Sequence, residues 1–159
     1  MTVAPSLSGP LLRMHFHDCF IRTNGPYWDV ETGRRDGKVS LFTDPINPVT
    51  GLPPFSANIT ALKQSFALRG LSTKHLVVLS GSFKTFDDSY YKLVTKRKGL
   101  LQSDAALLND PETRAYLVQA TSQGSTFFED FGVSMVKMGQ IGVLTGSQGE
   151  VRKLCTKTN

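Results

Sequence analysis

Apolar residues recur along this chain at spacings of three and four, between capping residues, glycines and prolines. That period marks helices that bury one face. Leu11 to Ile21 reads as a first helix. Ser56 is placed to cap a second, running to about Leu68, with Ile59, Leu62 and Phe66 on one face and Gly70 beyond its end. Ser72 caps a third through Leu76 and Leu79, and Asp87 a fourth that ends before Gly99. Asp110 followed by Pro111 is an N-cap and first-turn pair. Ser125 or Thr126 opens the last helix, whose stripe of Phe127, Phe128, Phe131, Met135 and Met138 reads as core. Residues 23–56 are rich in Gly and Pro and read as loop with at most short strands. The predicted fold class is mainly α, with residues 1–159 as a single domain.

Composition adds bounds. A chain of 159 residues suits one domain. No run of about 18 apolar residues exists, so no spanning helix is predicted. Met1 to Pro10 lacks a basic start and an apolar core, so no signal peptide is predicted. Asn58-Ile59-Thr60 is an acceptor sequon for N-glycosylation, a common triplet. The net charge is +5, and Lys92, Lys96, Arg97 and Lys98 form the densest basic cluster. Such a cluster complements the C-terminal dipole of a helix, or attracts an acidic surface such as cell-wall polysaccharide. Nucleic acid is not expected, because no basic stripe is interleaved with aromatic residues.

The chemistry is concentrated in Arg13-Met14-His15-Phe16-His17-Asp18-Cys19-Phe20. On a helix Arg13 and His17 stand at i and i+4 and share a face. A neutral imidazole beside a fixed cation can take a proton from a small substrate while the cation stabilises the charge that develops. His15 falls about 200° around the helix from His17 and reads as a packed neighbour. Gly33-Arg34-Arg35-Asp36 reads as a turn whose arginines tie a loop down.

Leu11 to Phe20 resembles the distal-side helix of the plant secretory, class III, haem peroxidases. Gly25-Pro26-Tyr27-Trp28-Asp29-Val30-Glu31-Thr32-Gly33-Arg34-Arg35-Asp36-Gly37 resembles the family's GGPxWxVxxGRRDG segment, with Asn24 in place of the first Gly. Gly70 to Gly81 is similar to the helix leading to the haem's proximal side. Phe86-Asp87-Asp88-Ser89-Tyr90-Tyr91 resembles FDNxYY, and Gly99 to Asp104 and Met135 to Gly146 complete the series.

The resemblance implies a helical fold around haem b that uses hydrogen peroxide to oxidise phenolic donors by one-electron steps. It makes His17 the acid/base and Arg13 the stabilising cation. Pro26 matches a residue that meets phenolic substrates. Asp18 and the Ile21 carbonyl match part of one calcium site, and Ser82 and Asp87 part of another, both incomplete. Asp104 matches the carboxylate that hydrogen-bonds the axial imidazole. It also implies a secreted, cell-wall monomer.

Two blocks look excised, near Arg22-Thr23-Asn24 and near Gly81-Ser82-Phe83, and the chain begins part-way through the family's first helix. At the second gap the family reads SGAHTIG, whose His ligates the iron, whereas here Ser80-Gly81 runs into Ser82-Phe83-Lys84. The three histidines are His15, His17 and His75. His75 stands where the family has Asp, about two helical turns before the missing ligand, so no haem axial ligand is assigned. Asp104, without its imidazole, is expected to cap Ala105 to Leu108. Cys19 and Cys155 have lost their family partners to the first gap. The expectation is a haem peroxidase of weak or no activity. The alternative is a non-catalytic splice or gene-model product, a basic fragment that associates with the cell wall.

Overall fold

The computed structural model describes residues 27–29, 31–39, 53–80, 89–99, 101–122, 126–154 and 157–159. Among them stand six helices and no strand: α1 Ile59–Ala67, α2 Thr73–Leu79, α3 Ser89–Thr95, α4 Gln102–Ala106, α5 Pro111–Ala120 and α6 Phe127–Gly139. The mainly-α class is as the periodicity predicts. The expected helix at Leu11 to Ile21 and the Asp87 cap lie outside the described residues.

The short helix α2 is the hub. It packs against α1, α5 and α6, while α3 packs on α5 and α4 on α1. Leu76, Val77 and Val78 are all buried and no residue of α2 is exposed, so its neighbours cover most of its surface. Around them lie Leu62, Tyr91, Val94, Leu107, Leu117, Phe127, Phe131 and Met135. In α6 the buried Phe127, Phe131 and Met135 follow a four-residue step. Phe128 and Met138, expected in the same stripe, are 44% and 41% exposed because they fall outside that step. Edge-on aromatic contacts run from Tyr90 through Tyr91 and Phe127 to Phe131 and Trp28.

Helix starts follow capping chemistry. Ser72 and Asp110 are the N-caps predicted, and the Asp110 carboxylate accepts from the backbone of Glu112 and Thr113. The cap of α1 is Asn58, whose side chain accepts from Ala61 N, and not Ser56. Ser56 lies inside a turn closed by Ala57 N donating to Pro54 O, so the helix begins later. Ion pairs from Lys63 to Asp110 and Glu112 join α1 to α5, and Lys74 to Asp130 joins α2 to α6.

The segment of residues 31–39 is loop, as predicted. Asp36 and Glu150 form an isolated antiparallel bridge. Arg35 N donates to Leu144 O, the Arg35 side chain to Gln148 O, and the Arg34 side chain to Gly139 O and Glu31 O. The arginine pair therefore ties its loop to the end of α6 and the segment after it.

Candidate functional site

The buried carboxylate of Asp104 is the centre of the described part of the site. It lies in α4, only 7% exposed. One oxygen accepts from the Tyr90 phenol at 2.8 Å and the other from Leu101 N at 2.9 Å. Asp104 is thus inside the helix, reaching back to its first free amide, and not the N-cap that the sequence suggested. Gly99 makes room for it: a Cβ there would stand 2.7 Å from Asp104 Cβ. Burial, aided by the Asp104 carboxylate, pushes the Tyr90 phenol far above its usual pKa. Tyr90 therefore stays a neutral donor at any physiological pH. Next to it the Tyr91 phenol, also raised by burial, donates to Val78 O at 2.9 Å and seals the end of α2.

His75 sits at the other end of α2. Its Nδ1 lies 2.9 Å from Ser72 N and 2.8 Å from Ser72 Oγ. A backbone N–H can only donate, so Nδ1 accepts and the neutral ring carries its proton on Nε2. Burial, then Lys137 and Lys74, lower the pKa of the ring against the opposing pull of Asp130. The ring completes a capping box with Ser72.

A shallow groove of about 440 Å³ runs along α6, lined by Tyr27, Trp28, Gly132, Val133, Val136 and Lys137 among others. Trp28 packs edge-on against Phe131, and its Cβ comes within 3.4 Å of where a Gly132 Cβ would stand. Arg13, His17, Asp18, Ile21, Pro26, Ser82 and Asp87 all lie outside the described residues. Among the described residues no group of three His, Cys, Asp or Glu could hold a metal ion. No described helix is long and apolar enough to cross a membrane.

The peroxidase family model, described as Peroxidase, matches residues 21–83 and 82–123. Peroxidase 56 of Arabidopsis thaliana is 41% identical over 205 positions, which cover 94% of this chain and 61% of its own length. Peroxidase 27 of Arabidopsis thaliana is 35% identical over 277 positions, covering 100% of this chain and 85% of its own. This chain belongs to the class III plant peroxidase family. Peroxidase 1 of Oryza sativa subsp. japonica, 32% identical over 280 positions and 98% of the chain, agrees.

The same peroxidase comparisons bear on the gaps. The two family matches meet at residues 82–83, where the second excision was predicted. The alignment with Peroxidase 27 takes in all 159 residues over 277 positions, so 118 aligned positions hold no residue of this chain. The chain spans 61% of the length of the first relative named.

The peroxidase family is built around haem, and the described residues do not supply an axial nitrogen for it. His75 has Nδ1 engaged by Ser72, and its other nitrogen bears the proton. Asp104, matched to the partner of the axial imidazole, instead has one protein donor on each oxygen, Tyr90 and Leu101 N. Tyr90 was not foreseen as its partner; the FDNxYY segment was the available signal, but nothing in it indicates which tyrosine turns toward the carboxylate.

Proposed function

We propose that this chain is a haem peroxidase by descent, acting on hydrogen peroxide and phenolic donors with turnover more than about tenfold below that of a full-length relative. In this reading His17 takes the proton from peroxide and Arg13 offsets the charge that develops, with Pro26 beside the phenolic donor. Haem b and calcium are its cofactors by family, and the setting is extracellular. The observation that carries the low turnover is His75: the one described histidine is committed to capping α2. Iron held by no protein ligand is bound loosely and poorly tuned.

Haem titration of the purified chain, followed by visible absorption, tests this. A broad band like that of free haem, unchanged by His75→Ala, is the expected result. A sharp, saturable Soret band lost on His75→Ala would overturn it, as would peroxidase turnover within about tenfold of a full-length relative. The second reading, a non-catalytic product, is favoured by the join of the two family matches at residues 82–83. Weak turnover that disappears in His17→Ala would exclude it.

A further inference from the structure

The outer face of α6 carries a charge pattern that the peroxidase reading does not use. Val133 stands at its centre, 61% exposed. Glu129 lies four residues before it and Lys137 four residues after, both exposed. Each sits about 40° around the helix from Val133, on opposite sides, and the two are about 12 Å apart along the axis. The groove of about 440 Å³ runs over this face and takes in Val136 and the exposed Tyr27. Gly132 adds no side chain to the groove and lies against Trp28.

Asp130, the neighbouring acid, pairs with Lys74, whereas neither Glu129 nor Lys137 is in a salt bridge among the described residues. An exposed valine between two charges of opposite sign calls for a particular occupant. It is apolar in the middle, cationic opposite Glu129 and anionic opposite Lys137. The same face running in the reverse direction has that order. A two-fold axis through Val133 sets this residue against its own copy. It also brings Glu129 level with Lys137 of the second copy, and Lys137 level with Glu129. An interface of this kind is closed by its own symmetry and stops at two chains.

We propose that α6 is a self-association face, docking antiparallel on α6 of a second copy of this chain, with Val133 at the centre and two Glu129–Lys137 ion pairs across it. The family resemblance implies a monomer, and the self-complementary face departs from that. One face of a helix of 13 residues offers less than the roughly 800 Å² per partner of a standard stable complex, so the pair is a weak one. Ion pairs open to water add little affinity but fix orientation and register. Association uses no haem and no turnover, so it stands whether or not the peroxidase reading does.

The test is sedimentation velocity of the purified full chain from micromolar to millimolar concentration. A monomer–dimer equilibrium is expected, weakening with salt as the ion pairs are screened. Lys137→Glu and Glu129→Lys should each weaken it about tenfold, because like charges then meet twice across the axis. Mixing these two single variants should restore association, as a heterodimer in which both pairs are again opposite in sign. The mixture separates lost complementarity from lost folding, since unfolded chains would not recover a dimer. A chain monomeric at millimolar concentration, association that continues past the dimer, a dimer indifferent to both charge reversals, or a mixture no more associated than its components would each overturn the proposal.

Discussion

Tyr90 and Asp104 join α3 to α4 through one hydrogen bond of 2.8 Å between a phenol and a buried carboxylate. Neither group has an easy substitute. Tyr90→Phe leaves a carboxylate oxygen short of a donor, and a loss of about 1–3 kcal/mol is expected in urea unfolding. Asp104→Ala removes the acceptor of Tyr90 and of Leu101 N together and should cost more. If Tyr90→Phe and Asp104→Ala add independently, the two do not act as a pair.

Gly99→Ala examines the same place sterically. The new methyl would stand 2.7 Å from Asp104 Cβ, closer than carbon atoms approach. Displacing α4 should cost about 1–3 kcal/mol. A urea midpoint equal to that of the parent would show that the loop moves aside freely.

Helices α1 and α3 both close on a left-handed residue, Gly70 at φ +72° and Arg97 at φ +59°, so exchanges in opposite directions at the two have opposite outcomes. Arg97→Gly relieves left-handed strain and should stabilise the chain by about 0.5–1 kcal/mol, after allowing for the freer unfolded glycine. Gly70→Ala imposes the same strain, with open space around the new methyl, and should cost about 1 kcal/mol. Denaturant midpoints of the pair measure the backbone term alone.

His75 makes stability depend on pH. Its pKa in the folded chain lies below the ordinary 6.5, because the capped, partly buried ring next to Lys74 and Lys137 resists protonation. As pH falls through 6.5 the unfolded chain binds the proton first, so stability declines until the folded ring is also protonated. His75→Gln keeps a side chain that can reach back to Ser72. Its stability should fall less than the parent's across that window. Parallel pH profiles for the two chains would remove His75 from the account.

Counted without a gap from Ser80-Gly81, Phe83 falls at the position of the His in SGAHTIG. Phe83→His should sharpen the haem absorption band of the purified chain, and more so with Tyr90→Phe, which frees one oxygen of Asp104. A band as broad as the parent's in both variants would mean that restoring the residue does not restore a pocket.

Much of this fold is legible in short-range signals. Asp110-Pro111 and Ser72 start helices where capping chemistry places them, whereas Thr126 precedes α6 without a capping hydrogen bond from its side chain. Ser56 and Asn58 are equally good caps in isolation, and only the turn from Pro54 to Ala57 decides between them. The start of α4 was hidden because its cap, Leu101, carries no polar side chain; Asp104 supplies the missing acceptor from within the helix. The Tyr90–Asp104 contact crosses two helices and leaves no local pattern. The chemistry of Arg13 and His17 is legible in spacing and resemblance alone, since both lie outside the described residues.

The bridge between Asp36 and Glu150 carries a consequence for synthesis. The loop at residues 31–37 has its anchors at Gly139, Leu144, Gln148 and Glu150, more than a hundred residues later in the chain. A ribosome delivers these anchors more than a hundred residues after the loop, so until they emerge its arginines have only water and local carbonyls to bind. A nascent chain arrested before Gly139 would therefore present that loop to proteases.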